Sequence, residues 1–358
     1  MILENILIKP YWNMNEVKSF KKKNIGIEAL RFIFMLVICI WHYPSHSYLT
    51  HGYLGVEFFF ILSGYLLYKT TLKNPLLNPI DFTLKKIKRF APKYLAGLLI
   101  SFIFLSLIPL LNAGNYRNLI FDIFRLIPES MMIQNVGFYQ GGINYPLWFL
   151  CVLIVGGGMI YTWIYVNKRI TIGVVLPLLI VIGFTFLFNI STEIKIEHWG
   201  VYGIVALPLL RGILDMSIGV LLAYLQLKKS KNIQQKRHIF NIIWIVSFVL
   251  VIILHFLPFD LDQYSLIFFS LLVVGAMIPG SIVEKIFRGD IWLKLGSITF
   301  SMLVLHASII RIYLDFIHPY IGTGNRVIKM GLYILLLVGV SFLFDRLFDV
   351  TSTKRKLI

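Results

Sequence analysis

Residues 95–111 read LAGLLISFIFLSLIPLL. No position in that run is charged, and Ser101 and Ser106 are too few to give a helix a polar face. A helix on the surface of a soluble domain shows an apolar stripe opposite a polar one, so a run apolar all round belongs inside a large core or a bilayer. Outward from it, apolar runs of about 17 to 25 residues recur from Ile25 to Phe348, each long enough to cross a hydrocarbon layer of roughly 30 Å. A barrel needs short strands of alternating polarity, which these runs lack, so helices are the remaining way to satisfy the backbone in lipid.

Apolar runs set against turn and charge signals predict helices near 25–43, 53–69, 94–112, 146–166, 170–189, 202–227, 239–257, 264–280, 292–316 and 327–348. The expected fold is an all-α integral membrane protein, a polytopic bundle of about ten transmembrane helices. Successive connections then alternate sides. One side collects Lys18 and Lys21 to Lys23, the cations from Lys69 to Lys93, Lys168 and Arg169, Lys228 to Arg237, Lys285 and Arg288, and Lys354 to Lys356. The other receives Arg117, Arg125, Lys195 and Arg326. Cytoplasmic loops accumulate Lys and Arg, so both termini are expected in the cytoplasm, with a basic segment 1–24, a membrane domain 25–348 and a basic tail 349–358. The longest outer connection, about 112–144, is expected to be irregular, either lining a substrate entrance or lying as a lid over the bundle.

Composition agrees: 58% of the 358 residues are apolar and 14% charged, with a mean hydropathy of +0.80. The net charge of +17 lies mostly between helices, which speaks for a membrane surface and against nucleic acid. The first apolar run carries Glu28 and Arg31 and no small-residue cleavage site, so it is expected to be retained. Cys39 and Cys151, the two cysteines, fall inside predicted helices and build neither a disulfide framework nor a metal cluster. His42 and His46 have i,i+4 spacing, but Pro44 interrupts them, and no metal is expected.

Ionisable groups at bilayer depth are costly and mark pathways, partners or wet cavities. Arg31 and His42 are 11 residues apart, three turns and about 20°, so they share one helix face some 16 Å apart along the axis. Arg31 would sit near the cytoplasmic end and His42 near the outer end. The bland alternative has Arg31 reaching lipid phosphates and His42 closing the helix before Pro44. Glu57 follows His51 and Gly52 near where His42 emerges, which suggests a Glu57 to His42 hydrogen bond orienting the imidazole. Arg211 with Asp215, and Arg311 with Asp315, are i,i+4 pairs expected to neutralise one another on their own helices. Lys85, Lys86, Lys88 and Arg89 form a cytoplasmic phosphate site, for a nucleotide or for lipid headgroups; Lys85 and Arg89 are one turn apart. The triple glycine Gly156 to Gly158 reads as a close helix crossing. There is no Walker-type nucleotide loop and no His-Glu-x-x-His helix.

Four elements together resemble the membrane-bound acyltransferase family 3, whose bacterial members acylate surface glycans. They are Glu28-Ala-Leu-Arg31 with Trp41-His42, the segment GYLGVEFFFILSGY over 52–65, Pro146-Leu147-Trp148-Phe149-Leu150, and Gly296-Ser297 through Ser301 to Leu305-His306. The resemblance implies essential roles for Arg31 and His42, and acyl-coenzyme A use by an Arg-x-x-x-Arg motif that here reads Lys85-x-x-x-Arg89. Lys keeps the charge of that first position but loses the bidentate fork. Longer members append a soluble outer domain; this chain is expected to recognise its acceptor through the membrane domain or a partner.

The implied function is O-acyl transfer, most simply of acetyl from acyl-coenzyme A, to a hydroxyl of an extracytoplasmic glycan at a bacterial cytoplasmic membrane. His42 and Glu57 are the expected catalytic residues, and Arg31, Lys85 and Arg89 the donor-binding ones. Ser63, Tyr65, Trp148 and His306 are the expected substrate contacts. Membrane lipids are partners, and a second copy of the chain is left open as one. Ten helices with interior charged pairs also fit an exporter of a glycan or lipid-linked precursor, which would not consume acyl-coenzyme A.

Overall fold

A computed structural model describes residues 24–44, 49–137, 139–191, 194, 200–257, 260–321 and 325–354. The basic segment before Asn24, together with His46, Lys195 and the tail beyond Lys354, lies outside the described residues. The described residues form an almost wholly helical bundle with one two-stranded ribbon, β1 (Val201–Tyr202) paired antiparallel with β2 (Val205–Ala206).

Helix α1 (Ile25–His42) starts where the Asn24 side chain accepts the Ile27 N–H at 3.0 Å, and ends before Pro44, which holds Tyr43 extended. A short 3-10 turn leads into α2 (Gly55–Lys73). Next comes α3, running from Pro79–Ser101 through a π-helical stretch, Phe102–Leu107, to Ile108–Asn112. Asn78 caps its start and Pro79 occupies its first turn. Its beginning is some 15 residues earlier than the hydropathy pattern placed it, because the lysine-rich first turns are helical but not apolar.

The connection over 112–144 is not irregular throughout: it contains α4 (Tyr116–Ser130). The paired helices α5 (Trp148–Ile170) and α6 (Leu176–Ile190) meet at Asn167, whose φ/ψ of −151°/91° breaks the first helix and whose side chain caps the turn beyond. Then follow α7 (Leu207–Lys228), the short α8 (Ser230–Gln235), α9 (Arg237–Phe256) and α10 (Asp262–Ala276). After α11 (Ile282–Ile286), the single helix expected over 292–316 is two, α12 (Ile291–Ser297) and α13 (Thr299–Ile312, continuing to Ile321), parted at Ile298. The last is α14 (Arg326–Lys354).

Among the described residues, 7 helical segments are long and apolar enough to cross a membrane. One of them, Tyr145–Ile190, spans 46 residues and holds both α5 and α6. The remaining predicted runs correspond to α2, which carries Glu57, Lys69 and Lys73, and to α10, a 15-residue apolar helix.

Helices α2 and α7 make the tightest seam. A Cβ on Gly64 would lie 1.9 Å from the Met216 carbonyl oxygen, and one on Gly219 would lie 1.9 Å from that of Ile61. Small residues let two backbones touch in this way. Gly64→Ala should therefore cost at least 1–3 kcal/mol, about what overpacking costs, and more if the seam cannot open. A denaturant titration of detergent-solubilised protein measures it, and wild-type stability would show that the seam gives. Gly156 sits against Ile213 and Met216 of α7, the close crossing expected of the triple glycine.

Candidate active site

Arg31, Met35, Ile38 and His42 follow one another at i, i+4, i+7 and i+11 on α1, and all four line a single cavity of about 250 Å³. Its other walls are Val56, Phe59 and Ser63 of α2, Arg89 and Phe90 of α3, Pro146, Trp148 and Phe149 at the start of α5, and Thr299, Leu303 and His306 of α13. Arg31 and Arg89 mark one end, His42 and His306 the other, and the wall between is mostly apolar and aromatic.

At the histidine end the His42 and His306 rings lie 5.1 Å apart, and Tyr145 stands 5.3 Å from His42 and 6.4 Å from His306. His42 Nδ1 is 2.9 Å from the Ile38 carbonyl oxygen, which can only accept, so Nδ1 carries the proton and Nε2 is the basic nitrogen. His306 repeats the arrangement: its Nδ1–H donates to the Leu303 carbonyl at 2.9 Å, and Nε2 is buried without a hydrogen-bond partner among the described residues. An unmet acceptor on a cavity wall is a costly feature that a hydroxyl-bearing ligand would relieve. Trp41 packs edge-on to both His42 and Tyr53, fixing the imidazole from the far side.

At the other end Arg31 donates to Glu28 at 2.8 Å and remains 30% exposed on its side chain. The paired acid holds the guanidinium in place while leaving it accessible. Arg89 reaches the cavity, but Lys85, one turn earlier, is exposed and does not line it. Lys86 folds back over the Phe82 ring instead.

Glu57 is fully buried and takes Arg211 as its partner, where the sequence offered His42. The Arg211 Nε–H donates to the two carboxylate oxygens at 3.0 and 3.2 Å, and Nη2 closes the bidentate pair. Asp215, expected to neutralise Arg211 along their helix, is buried beside both Arg211 and Glu57, so the two acids share one guanidinium. A guanidinium side chain only 1% exposed needs a forked counter-charge, and Glu57 across the α2–α7 seam presents one. Arg211 also stacks over Trp148 at 5.8 Å, which ties the pair to the cavity wall. Arg311 and Asp315 do pair along their helix, at 2.7 Å and half-exposed.

Two other expected substrate contacts separate. Ser63 lines this cavity, whereas Tyr65 points away, donates to Gln226 Oε1 at 2.9 Å and borders a second cavity. Among the described residues no group of three His, Cys, Asp or Glu side chains is placed to hold a metal ion.

The loop that delivers Tyr145 to Trp148 is anchored by α4. Glu129 accepts the Ile143 N–H at 2.7 Å and the Asn144 N–H at 3.4 Å, and Asn144 donates onward to the Val304 carbonyl of α13 at 2.8 Å. No spacing in the sequence announces this link. Burial raises the Glu129 pKa above the usual carboxylate range, an effect that outweighs these N–H bonds and Arg125. The folded state thus holds the proton more tightly than the unfolded one. Stability is fully present below the ordinary carboxylate pKa and declines as pH rises from there through the raised folded value. Unfolding midpoints measured across that window should fall for the wild type and stay flat for Glu129→Gln; parallel curves would remove Glu129 as the titrating group.

Comparison with known proteins gives this bundle and cavity their class. The family model described as an acyltransferase domain matches residues 24–346, and the chain belongs to that family. It is 25% identical over 350 residues to "Putative O-acetyltransferase SACOL0978" of Staphylococcus aureus strain COL, a match covering 87% of this chain and 55% of that protein. It is 22% identical over 366 residues to "O-acetyltransferase OatA" of S. aureus strain NCTC 8325, covering 92% of this chain and 57% of that one. The chain thus spans a little over half the length of the curated relatives it matches. No solved structure matches.

Proposed function

We propose that the chain is a membrane O-acetyltransferase that moves an acetyl group from acyl-coenzyme A at its cytoplasmic face to a hydroxyl of an extracytoplasmic cell-surface glycan. In this reading α2 and α10 cross the bilayer with the 7 recognised segments, one of which holds two helices, giving ten crossings and cytoplasmic termini in a bacterial cytoplasmic membrane. The observation that carries it is the single cavity with cations at one end and the two histidines at the other. Coenzyme A phosphates bind Arg31 and Arg89, with Lys85 outside the cavity mouth, and the thioester arm extends along the apolar wall.

His42 Nε2 removes the proton of the acceptor hydroxyl as its oxygen adds to the thioester carbonyl. The C–S bond breaks as the tetrahedral adduct collapses, leaving an acetyl ester and a thiolate that takes the proton from His42. His306 Nε2 accepts a hydrogen bond from the acceptor, Ser63 and Trp148 border its approach, and Glu57 acts through Arg211 by holding Trp148.

The test is release of coenzyme A thiol by purified protein with and without a hydroxyl-bearing glycan. Acceptor-dependent release is expected, and none from folded protein with any short acyl donor would overturn the assignment. Arg31→Gln should raise KM for acetyl-coenzyme A about tenfold through loss of a charged hydrogen bond, with kcat little changed. An unaltered KM would take Arg31 out of donor binding.

A further inference from the structure

A second cavity, of about 630 Å³, borders α2 along Tyr65 and Lys69, on a face next to the one that lines the first cavity. Its floor is Tyr65 and Gln226, joined by their hydrogen bond, and Gln226 is pinned again by donating to the Val274 carbonyl at 3.3 Å. Leu227, Ile233, Met277 and Pro279 form apolar walls, and Lys69, Ser230, Lys231 and Gln234 surround the opening. Gln234 of α8 donates to the Pro279 carbonyl at 3.3 Å, so the short helix is already closed onto the α10 side. The space is preformed and large enough for more than an inorganic ion.

Its charge is one-sided. Lys69 holds its ammonium 5.2 Å over the Tyr65 ring and 3.9 Å from the Met277 sulfur, and Lys231 stands at the rim. Lys228, Lys229, Lys236 and Arg237 surround the same short helix. This is the end of the bundle that carries Arg31, since α2 begins beside Trp41 and Ile38, near His42, and runs away from them for more than three turns before reaching Lys69. Along the α2–α7 seam Gly64 and Gly219 bring the two backbones into contact.

We propose that this cavity is a separate binding site for a phosphate ester carried on an apolar or aromatic body, gripped by Lys69, Lys231 and Ser230 while the body rests on Leu227, Ile233 and Met277. The phosphate can come from an anionic lipid headgroup or from a soluble nucleotide, and the site stands independently of acetyl transfer. Ammonium groups near a membrane surface attract phosphate strongly enough that each lysine should contribute about fivefold in affinity.

The test uses the full chain in uncharged detergent and two probes, short-chain phosphatidylglycerol and adenosine 3′,5′-bisphosphate, with short-chain diacylglycerol as the phosphate-free control. Binding of either phosphate probe, weakened about 25-fold in Lys69→Gln/Lys231→Gln, supports the site. The probe that binds identifies the source, lipid or soluble. If the double variant does not fold, Ser230→Trp, which fills the opening without changing charge, must abolish binding instead. Phosphate probes that bind no tighter than diacylglycerol, or that bind the folded variant as they bind the wild type, overturn the proposal.

Discussion

His42→Ala lowers kcat/KM for acetyl transfer about 10³-fold or more, with the protein folded and its acetyl-coenzyme A affinity near wild type. The size follows from what the side chain supplies: its protonated Nδ1 is committed to the Ile38 carbonyl, so the loss is of Nε2, the basic atom at the histidine end of the cavity. A positioned base is worth about 10² to 10⁴ in rate. Donor affinity survives because Arg31 and Arg89 lie at the other end. His42→Gln should be as inactive, since an amide of similar size keeps the packing against Trp41 but cannot take a proton. Steady-state kinetics of both variants decide the matter; a folded His42→Ala enzyme with wild-type turnover would move the chemistry elsewhere in the cavity.

Glu57→Ala destabilises the protein by about 3–5 kcal/mol, the usual cost of leaving one member of a buried ion pair without the other. Arg211 is then a guanidinium held 1% exposed between α2 and α7 without its forked acceptor. Replacing both members, as Glu57→Leu/Arg211→Met, should recover part of the loss, and adding Asp215→Leu to that double variant most of it, because Asp215 is buried beside the same guanidinium. Denaturant unfolding of the single, double and triple variants measures this. Activity should follow stability, since Arg211 supports Trp148 on the cavity wall. If Glu57 instead oriented His42 directly, Glu57→Gln would alter the pH profile of turnover and leave stability untouched.

How far these features were legible depends on the range of the interaction. The apolar runs located the helices that carry the site, because hydrophobic thickness is a local property of sequence. The shared face of Arg31 and His42 was readable too, since 11 residues close nearly three turns within one helix. Glu57 to Arg211 was not, because 154 residues separate them and the nearer candidates, His42 for the acid and Asp215 for the base, looked sufficient. Tyr65 shares a conspicuous motif with Ser63, yet two residues along a helix turn it about 160° around, toward the other cavity.

Helix α4 escaped for a different reason. It turns Asp122, Arg125 and Glu129 inward and leaves Tyr116, Ile120, Phe124 and Ile127 exposed, the reverse of the usual arrangement. Its period was there, but flanking glycines and its place between membrane runs made it read as loop. The break at Ile298 carried no proline or glycine at the residue itself and was equally silent.

The central claim is that one cavity joins a donor at one membrane face to an acceptor hydroxyl reached from the other. It is tested most directly by reconstituting the protein in sealed vesicles with acetyl-coenzyme A on one side and a glycan acceptor on the other. The account predicts that acetylated glycan accumulates in the acceptor compartment while free coenzyme A appears in the donor compartment, in equal amounts. Product formed only when donor and acceptor share a compartment, or glycan transported without coenzyme A release, would contradict it.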